Sequence, residues 1–563
     1  MIQIIAALAV LGFSVPIFMG LAGVILPAFS FFPALGYDEF QLSAITSFLS
    51  EPQALPALMS SLLIGMVATL LSVVAVFIIL AIGFQQSRNS VIMRWFRVLS
   101  GPLIALPHST IAIAILFLLA PSGWLVRLIS PEITGWLRPP AFGIVPDQSG
   151  AVLIAGLMMK EIPFLLFITL AQSRRFAIDD TLKLGASLGY QPVSIWLYLI
   201  WPQLYKLIRL PLFAVLAFAL SVVDMTLILG PTLPPPLAIL ILQGFEDPDL
   251  ARRLSASAAA LCQCVIIIVA ICLWFGIEKL AGGVIKTARN SGMRLGLLQP
   301  LCLLPFYGLA VKFAALILGL FAIFLWACSR HWRFPDALPA QFSLYHWQSD
   351  AAFGAVFWDS LIIAISASLL ALCICVLWLE RKSLSKRQMT HITGLLFIPL
   401  LIPQISLLFG LQVGLSYAYL DGRFGTVIWL HVIYILPYSW LVMAPAYRNF
   451  DRRYLLLART LGKTNLQCFF TVRLPMLAYS FASAFLIGVA VSVALYLPSL
   501  FAGAGRINTI TIEAVTQAAS GARGPAAIAA MMQICLPLML FCIVKVLLFL
   551  RFRRFRQMQN VSA

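Results

Sequence analysis

Charge is what this sequence has least of. Only 10% of its 563 residues are Asp, Glu, Lys or Arg, while 62% are hydrophobic. A soluble domain carries about 45–50% apolar and about 25% charged residues. So little charge cannot cover a particle in water, and a mean hydropathy of +1.00 points to lipid as the solvent. Histidine is also scarce: His108, His331, His346, His391 and His431 are scattered and form no paired motif. The ten cysteines, Cys262, Cys264, Cys373 and Cys375 among them, fall almost entirely in apolar stretches without metal or redox spacing. No metal and no cofactor is therefore expected, and a membrane-embedded enzyme lacks its clustered catalytic set. No Lys or Arg precedes Arg88, so the long apolar opening from Met1 to Phe32 lacks the basic stretch of a cleaved leader. A nucleotide-binding P-loop is missing too. Gly462-Lys463-Thr464 ends like one, but the glycine required five residues earlier is Leu457.

What is present is a series of long apolar runs. Spanning a bilayer takes roughly 20 apolar residues per helix. The runs are too long and continuous for barrel strands, so closed helices must satisfy the backbone. The reading is an all-α polytopic membrane protein of about 12 transmembrane helices. Their approximate bounds are 3–31, 60–84, 98–121, 149–171, 207–231, 255–282, 298–327, 358–379, 394–419, 425–446, 477–501 and 525–550. The net charge of +18 would suggest nucleic acid in a soluble chain. Here its carriers follow even-numbered helices: Arg88, Arg94 and Arg97; Arg174 and Arg175; Lys286, Arg289 and Arg294; Arg381, Lys382, Lys386 and Arg387; Arg448, Arg452 and Arg453; Arg551, Arg553, Arg554 and Arg556. The positive-inside bias makes those segments cytoplasmic, so no nucleic-acid partner is needed. The opposite loops hold acids such as Asp38, Glu39, Glu51, Glu246, Asp247 and Asp249, together with Arg127, Arg252 and Arg253.

The chain also repeats itself. Ser61-Leu62 matches Ser360-Leu361, Leu106-Pro107-His108 matches Ile402-Pro403-Gln404, and Pro163-Phe164 matches Pro437-Tyr438. The offset is 403 − 107 = 296 residues before helix four and 475 − 202 = 273 after it. The shortfall of 23 residues fits one extra segment, 123–148, on the outer side of the first half. Two repeats of six helices, 1–290 and 291–563, keep the same orientation, which makes the repeat parallel.

Each repeat carries one long basic loop, at 173–203 and 447–475. The first reads Lys183-Leu184-Gly185-Ala186-Ser187-Leu188-Gly189 and reaches Pro202 thirteen residues after Gly189. The second reads Leu456-Leu457-Ala458-Arg459-Thr460-Leu461-Gly462 and reaches Leu474-Pro475 at the same spacing. Physically each is a short amphipathic helix, a glycine turn, a second short helix, and a proline opening the next span.

At these residues the sequence resembles the membrane subunits of binding-protein-dependent ABC importers. Their cytoplasmic signature is Glu-Ala-Ala, three residues, Gly, nine residues, Ile, one residue, Leu-Pro. Ala458, Gly462, Leu474 and Pro475 match it, with Val472 for Ile; Gly189 and Pro202 match in the first loop, where Gly185 stands at the second Ala and Leu199 at Ile. Lys183 and Leu456 replace the Glu. The resemblance covers nearly the whole chain and looks most like the fused permeases of the ferric-iron, thiamine and related importers. It implies a non-catalytic permease in the bacterial inner membrane. Its expected partners are a pair of cytoplasmic ATPase subunits docked on the two loops, a periplasmic substrate-binding protein, and the lipid bilayer.

Charge within the spans singles out further candidates. An ionised side chain at the bilayer centre costs at least about 2.5 kcal/mol. Lys160 and Glu161 fall mid-way along helix four, His431 at nearly the same place in helix ten, and Asp224 within helix five. They are expected either to line the translocation path or to fix helix packing. The alternative function is an ion- or proton-coupled secondary transporter, against which stand the two loops and the scarcity of buried carboxylates.

Overall fold

The computed structural model describes residues 2–84, 103–141, 144–145, 147–173, 175–349, 352–380 and 386–552. The basic residues Arg88, Arg94, Arg97, Arg174, Arg381, Lys382, Arg553, Arg554 and Arg556 lie outside them. The described residues form helices, with two isolated β-bridges, Phe32 to Tyr37 and Ser329 to Phe342.

The long helices of the first half are α1 (Ile2–Ala28), α2 (Ala54–Gly83), α3 (His108–Leu119) and α4 (Ala151–Ser173). There follow α5 (Ile178–Ser187), α6 (Trp201–Ser221), α7 (Asp224–Leu229), α8 (Leu237–Glu246) and α9 (Arg252–Asn290). The second half comprises α10 (Leu298–Ala327), α11 (Ala352–Leu379), α12 (Lys386–Leu401), α13 (Gln404–Tyr417) and α14 (Phe424–Asn449). It continues through α15 (Arg453–Thr460), α16 (Ala478–Ala494), α17 (Leu497–Gly503), α18 (Ile510–Ala519) and α19 (Arg523–Phe552). Among the described residues, ten helical stretches are long and apolar enough to cross a membrane, or twelve if two bent pairs each count as one span.

Four of the expected spans are interrupted. The helix expected over 207–231 stops at Ser221, turns extended at Val222, and restarts as α7 at Asp224. Its counterpart, expected over 477–501, stops at Ala494 and restarts as α17 at Leu497. The helix expected over 394–419 is two helices, α12 and α13, at 93°. Pro403 breaks it, because proline removes an N–H and disfavours helix in the residue before it. Pro107 likewise interrupts the helix expected over 98–121, which is helical at 103–105, breaks at Leu106-Pro107 and restarts as α3 at His108. The helix expected over 255–282 is instead a 39-residue rod that carries Lys286 and Arg289 in its last turns.

Packing crosses between the halves. The first helix of each half lies on the third helix of the other, α1 on α13 and α10 on α3. Small residues allow these backbones to touch, as association in lipid requires. Gly23 meets the backbone of Gly410, and a Cβ on Gly319 would stand 2.6 Å from the Ala114 carbonyl oxygen. Ser61, two turns into α2, and Ser360, two turns into α11, do the same job in each half. Ser61 Oγ accepts from the Leu237 N–H at 2.8 Å, and Ser360 Oγ accepts from the Ile510 N–H at 2.8 Å. Each thereby satisfies the first N–H of a short apolar helix, α8 or α18, that has no carbonyl of its own to use.

Candidate functional site

Three charged or titratable groups meet where the first half is broken. Lys160, on α4, extends to the chain just before α3, donating to the carbonyls of Ile104, at 2.7 Å, and Leu106. Pro107 has no N–H and interrupts the helix there, which leaves those carbonyls to accept. Asp224 is buried at the first residue of α7. The backbone amides of Met225 and Ser109 serve its carboxylate, which lies close enough to Lys160 to interact electrostatically. His108 begins α3 beside Lys160, its ring 4.4 Å from that of Phe218. A buried ammonium and carboxylate are tolerable in lipid only when each is hydrogen-bonded and balanced by the other, and this arrangement provides both.

The other two candidates stand apart. Glu161 points to α2, where Ser72 Oγ donates to it at 2.8 Å; its second oxygen has no partner among the described residues. His431, on α14, is buried with both ring nitrogens occupied, Nδ1 2.7 Å from Ser492 Oγ and Nε2 3.0 Å from Ser499 Oγ. Lys160 and Asp224 thus come together, while Glu161 and His431 bond within their own halves. His108 escaped selection in the sequence, although it directly follows the Leu106-Pro107 pair that helped reveal the repeat.

The two basic loops share a detailed backbone course. Gly189 and Gly462 both take positive φ, +78° and +81°, as a turn closed to most side chains requires. A single π turn follows in each, Trp196–Ile200 and Phe469–Arg473. Gly185 is inside α5 rather than in the turn; a Cβ there would lie 2.5 Å from Ile195 Cδ1, so it lets the two short helices close together. Ala458 occupies the matching place in α15 and is buried with Phe450, Leu455 and Cys468. Each short helix and the residue that caps its C-terminus turn a pair of leucines outward, Leu184 and Leu188 at 67% and 61% exposure, Leu457 and Leu461 at 62% and 74%.

The loops differ in how they are tied down. In the first, Ser194 Oγ donates to the Arg294 carbonyl at 2.8 Å and Tyr198 Oη to the Met293 carbonyl at 2.9 Å, anchoring it on the link between the halves. In the second, Arg473 pairs with Glu380 beyond the end of α11, and lies over the ring of Tyr447. Pro202 is the second residue of α6 and leads straight into the span. Leu474 and Pro475 form a separate turn, and the chain bends by 79° before α16.

No protein-family model matches the chain, and no solved structure matches it significantly. The sequence is similar to the inner membrane ABC transporter permease protein YnjC of Escherichia coli (strain K12), 29% identical over 517 residues, which are 91% of this chain and 90% of that one. A similarity that runs the length of both chains, on a bundle of apolar spans, makes this a multi-pass inner-membrane permease subunit of the ABC-transporter kind.

Proposed function

We propose that the chain forms the translocation pathway of an importer, with a small solute delivered by a periplasmic binding protein and energy supplied by separate ATPase subunits. The reading includes two six-span halves, 1–290 and 291–563, with both basic loops in the cytoplasm. The observation that carries it is the matched pair of outward leucines. Leu184 on α5 and Leu188 just past its end, and Leu457 on α15 and Leu461 just past its end, are apolar and strongly exposed, and lead into the same glycine turn. Apolar side chains held out from a structured loop call for a partner surface, and two alike suit a partner present in two copies. Transmission from that surface into the bundle runs by different ties, Ser194 and Tyr198 in the first half and the Arg473–Glu380 pair in the second.

Within the pathway, Asp224 and Lys160 are the residues we assign to solute passage, since they sit at the broken helices α3 and α7. Glu161 and His431 fix packing. The resemblance to ferric-iron and thiamine permeases supports import of a small solute without choosing one. Leu184→Glu and Leu457→Glu test the docking role. Each should insert into membranes normally yet lose co-purification with the cognate ATPase. Undiminished capture of the ATPase by the double variant would sink this reading.

A further inference from the structure

Besides the packing of α1 on α13 and of α10 on α3, the halves meet at two seams. In one, α3 of the first half meets α19 of the second; in the other, α13 of the second half meets α9 of the first. The helices α9 and α19 carry one pattern, an arginine followed ten residues later by a glutamine: Arg253 and Gln263, Arg523 and Gln533. Both glutamines are completely buried.

The bonding at the two seams is nevertheless unequal. Gln533 Oε1 accepts from Thr110 Oγ1 at 2.6 Å and from Ser109 Oγ at 3.2 Å, while its Nε2 donates to Thr511 Oγ1 at 2.9 Å. Two of those three partners belong to the opposite half. Gln263 donates instead to the Leu220 carbonyl of its own half at 2.9 Å, and its Oε1 has no partner among the described residues. On α13 the positions of Ser109 and Thr110 are held by Ile405 and Ser406; Ile405 has no side-chain polar atom, and Ser406 Oγ donates across the seam to the Ala260 carbonyl at 3.1 Å.

The same contrast recurs at the end of the bundle away from the basic loops. The 23 residues of α4 separate the two faces by about 35 Å. There Arg523 donates to the Ser122 carbonyl at 2.8 Å and to Ser122 Oγ at 2.5 Å. Beside it Arg127, only 3% exposed, donates to the carbonyls of Ser122 at 2.9 Å and Arg333 at 2.6 Å, and lies over the rings of Trp326 and Trp332. Arg127 belongs to the extra segment that the second half lacks. At the opposite seam the residue in the place of Ser122 is Ala418, and Arg253 Nε is buried without a partner among the described residues.

We propose that the halves part at one seam only: the α3–α19 seam is a hinge held by Arg127, Arg523 and Gln533, and the α13–α9 seam is the one that opens. Separating the first would strip several buried donors and acceptors of their partners in apolar surroundings, which is strongly opposed. Separating α9 from α13 gives up one side-chain bond between them among the described residues, that of Ser406, and lets water reach Gln263 Oε1 and Arg253 Nε. The other bond on that side, from Trp429 Nε1 to the Gly12 carbonyl at 3.0 Å, ties α1 to the second half and is kept when α1 moves with α13. The inference needs only the permease identity, so a failed ATPase pull-down would leave it standing.

Spin labels on exposed sites decide it in the isolated full-length permease in nanodiscs. One pair, at Leu125 and Ser520, reports the α3–α19 seam; the other, at Leu250 and Tyr419, reports the α13–α9 seam. The expected result is one narrow distance peak for the first pair and a broad distribution for the second. Arg523→Gln should cost the first pair its single peak and leave the second unchanged, and Gln533→Leu should do the same where it folds. Equal widths at the two seams, a broader first pair, or a folded Arg523→Gln protein with an unaltered first pair would each overturn the proposal.

Discussion

At the scale of single residues, the decisive feature is where the charges end up. Asp224 was legible as a buried acid, but not as the first residue of a restarted helix, because the neighbouring Val222-Val223 contains no proline or glycine to announce a break. Its setting follows from packing: α6 ends at Ser221 and the carboxylate then serves the amides of Met225 and Ser109. Asp224→Asn keeps the shape and removes the charge that balances Lys160. A buried ammonium left without its counter-charge is strongly destabilising, so the variant should unfold at lower temperature in detergent and support little uptake. Thermal unfolding and transport both at the level of the unsubstituted protein would show that Asp224 neither balances Lys160 nor serves the pathway.

At the scale of elements, the sequence was most informative where chemistry requires one residue type. The turn glycines Gly189 and Gly462 were legible because positive φ excludes most alternatives. The Ser61-Leu62 and Ser360-Leu361 match was visible as well, but not its cause, since the bonded partners Leu237 and Ile510 lie far along the chain. Helix breaks were the least legible features, as apolar runs on both sides of Leu401 and Ala494 read as continuous spans. The serine bonds lead to an expectation of their own. Ser61→Ala and Ser360→Ala each leave a buried N–H without an acceptor, at a cost of about 1–3 kcal/mol. Each should speed amide hydrogen exchange in its own short helix, α8 or α18, and not in the other. Loss of protection spread equally over both would show that the serines do not act locally.

At the scale of the whole molecule, the outcome turns on how the bent helices are counted. The first half has six spans before residue 291, and the loop at 173–203 follows the fourth. In the second half, Phe424–Asn449 precedes the other loop, and its rank depends on whether α12 and α13, bent by 93°, together make one crossing. If they do, both loops leave even-numbered spans and share a face of the membrane. If they do not, the loops lie on opposite faces and cannot serve one pair of ATPases. Packing favours a crossing: α1 lies along α13 as α10 lies along α3, with backbone contact at Gly23 and Gly410 in one pair and at Gly319 and Ala114 in the other. The basic residues Arg448, Arg452 and Arg453 beside the second loop, like Arg175 beside the first, favour the cytoplasmic side for both. Single cysteines at Gln191 and Asn465, both exposed loop positions, measure this directly. In intact cells of a cysteine-free background, a membrane-impermeant thiol reagent should modify neither, and after permeabilisation it should modify both. Labelling of Asn465 alone from outside would mean that the bent pair returns to the face it entered from, and labelling of both would invert the whole chain.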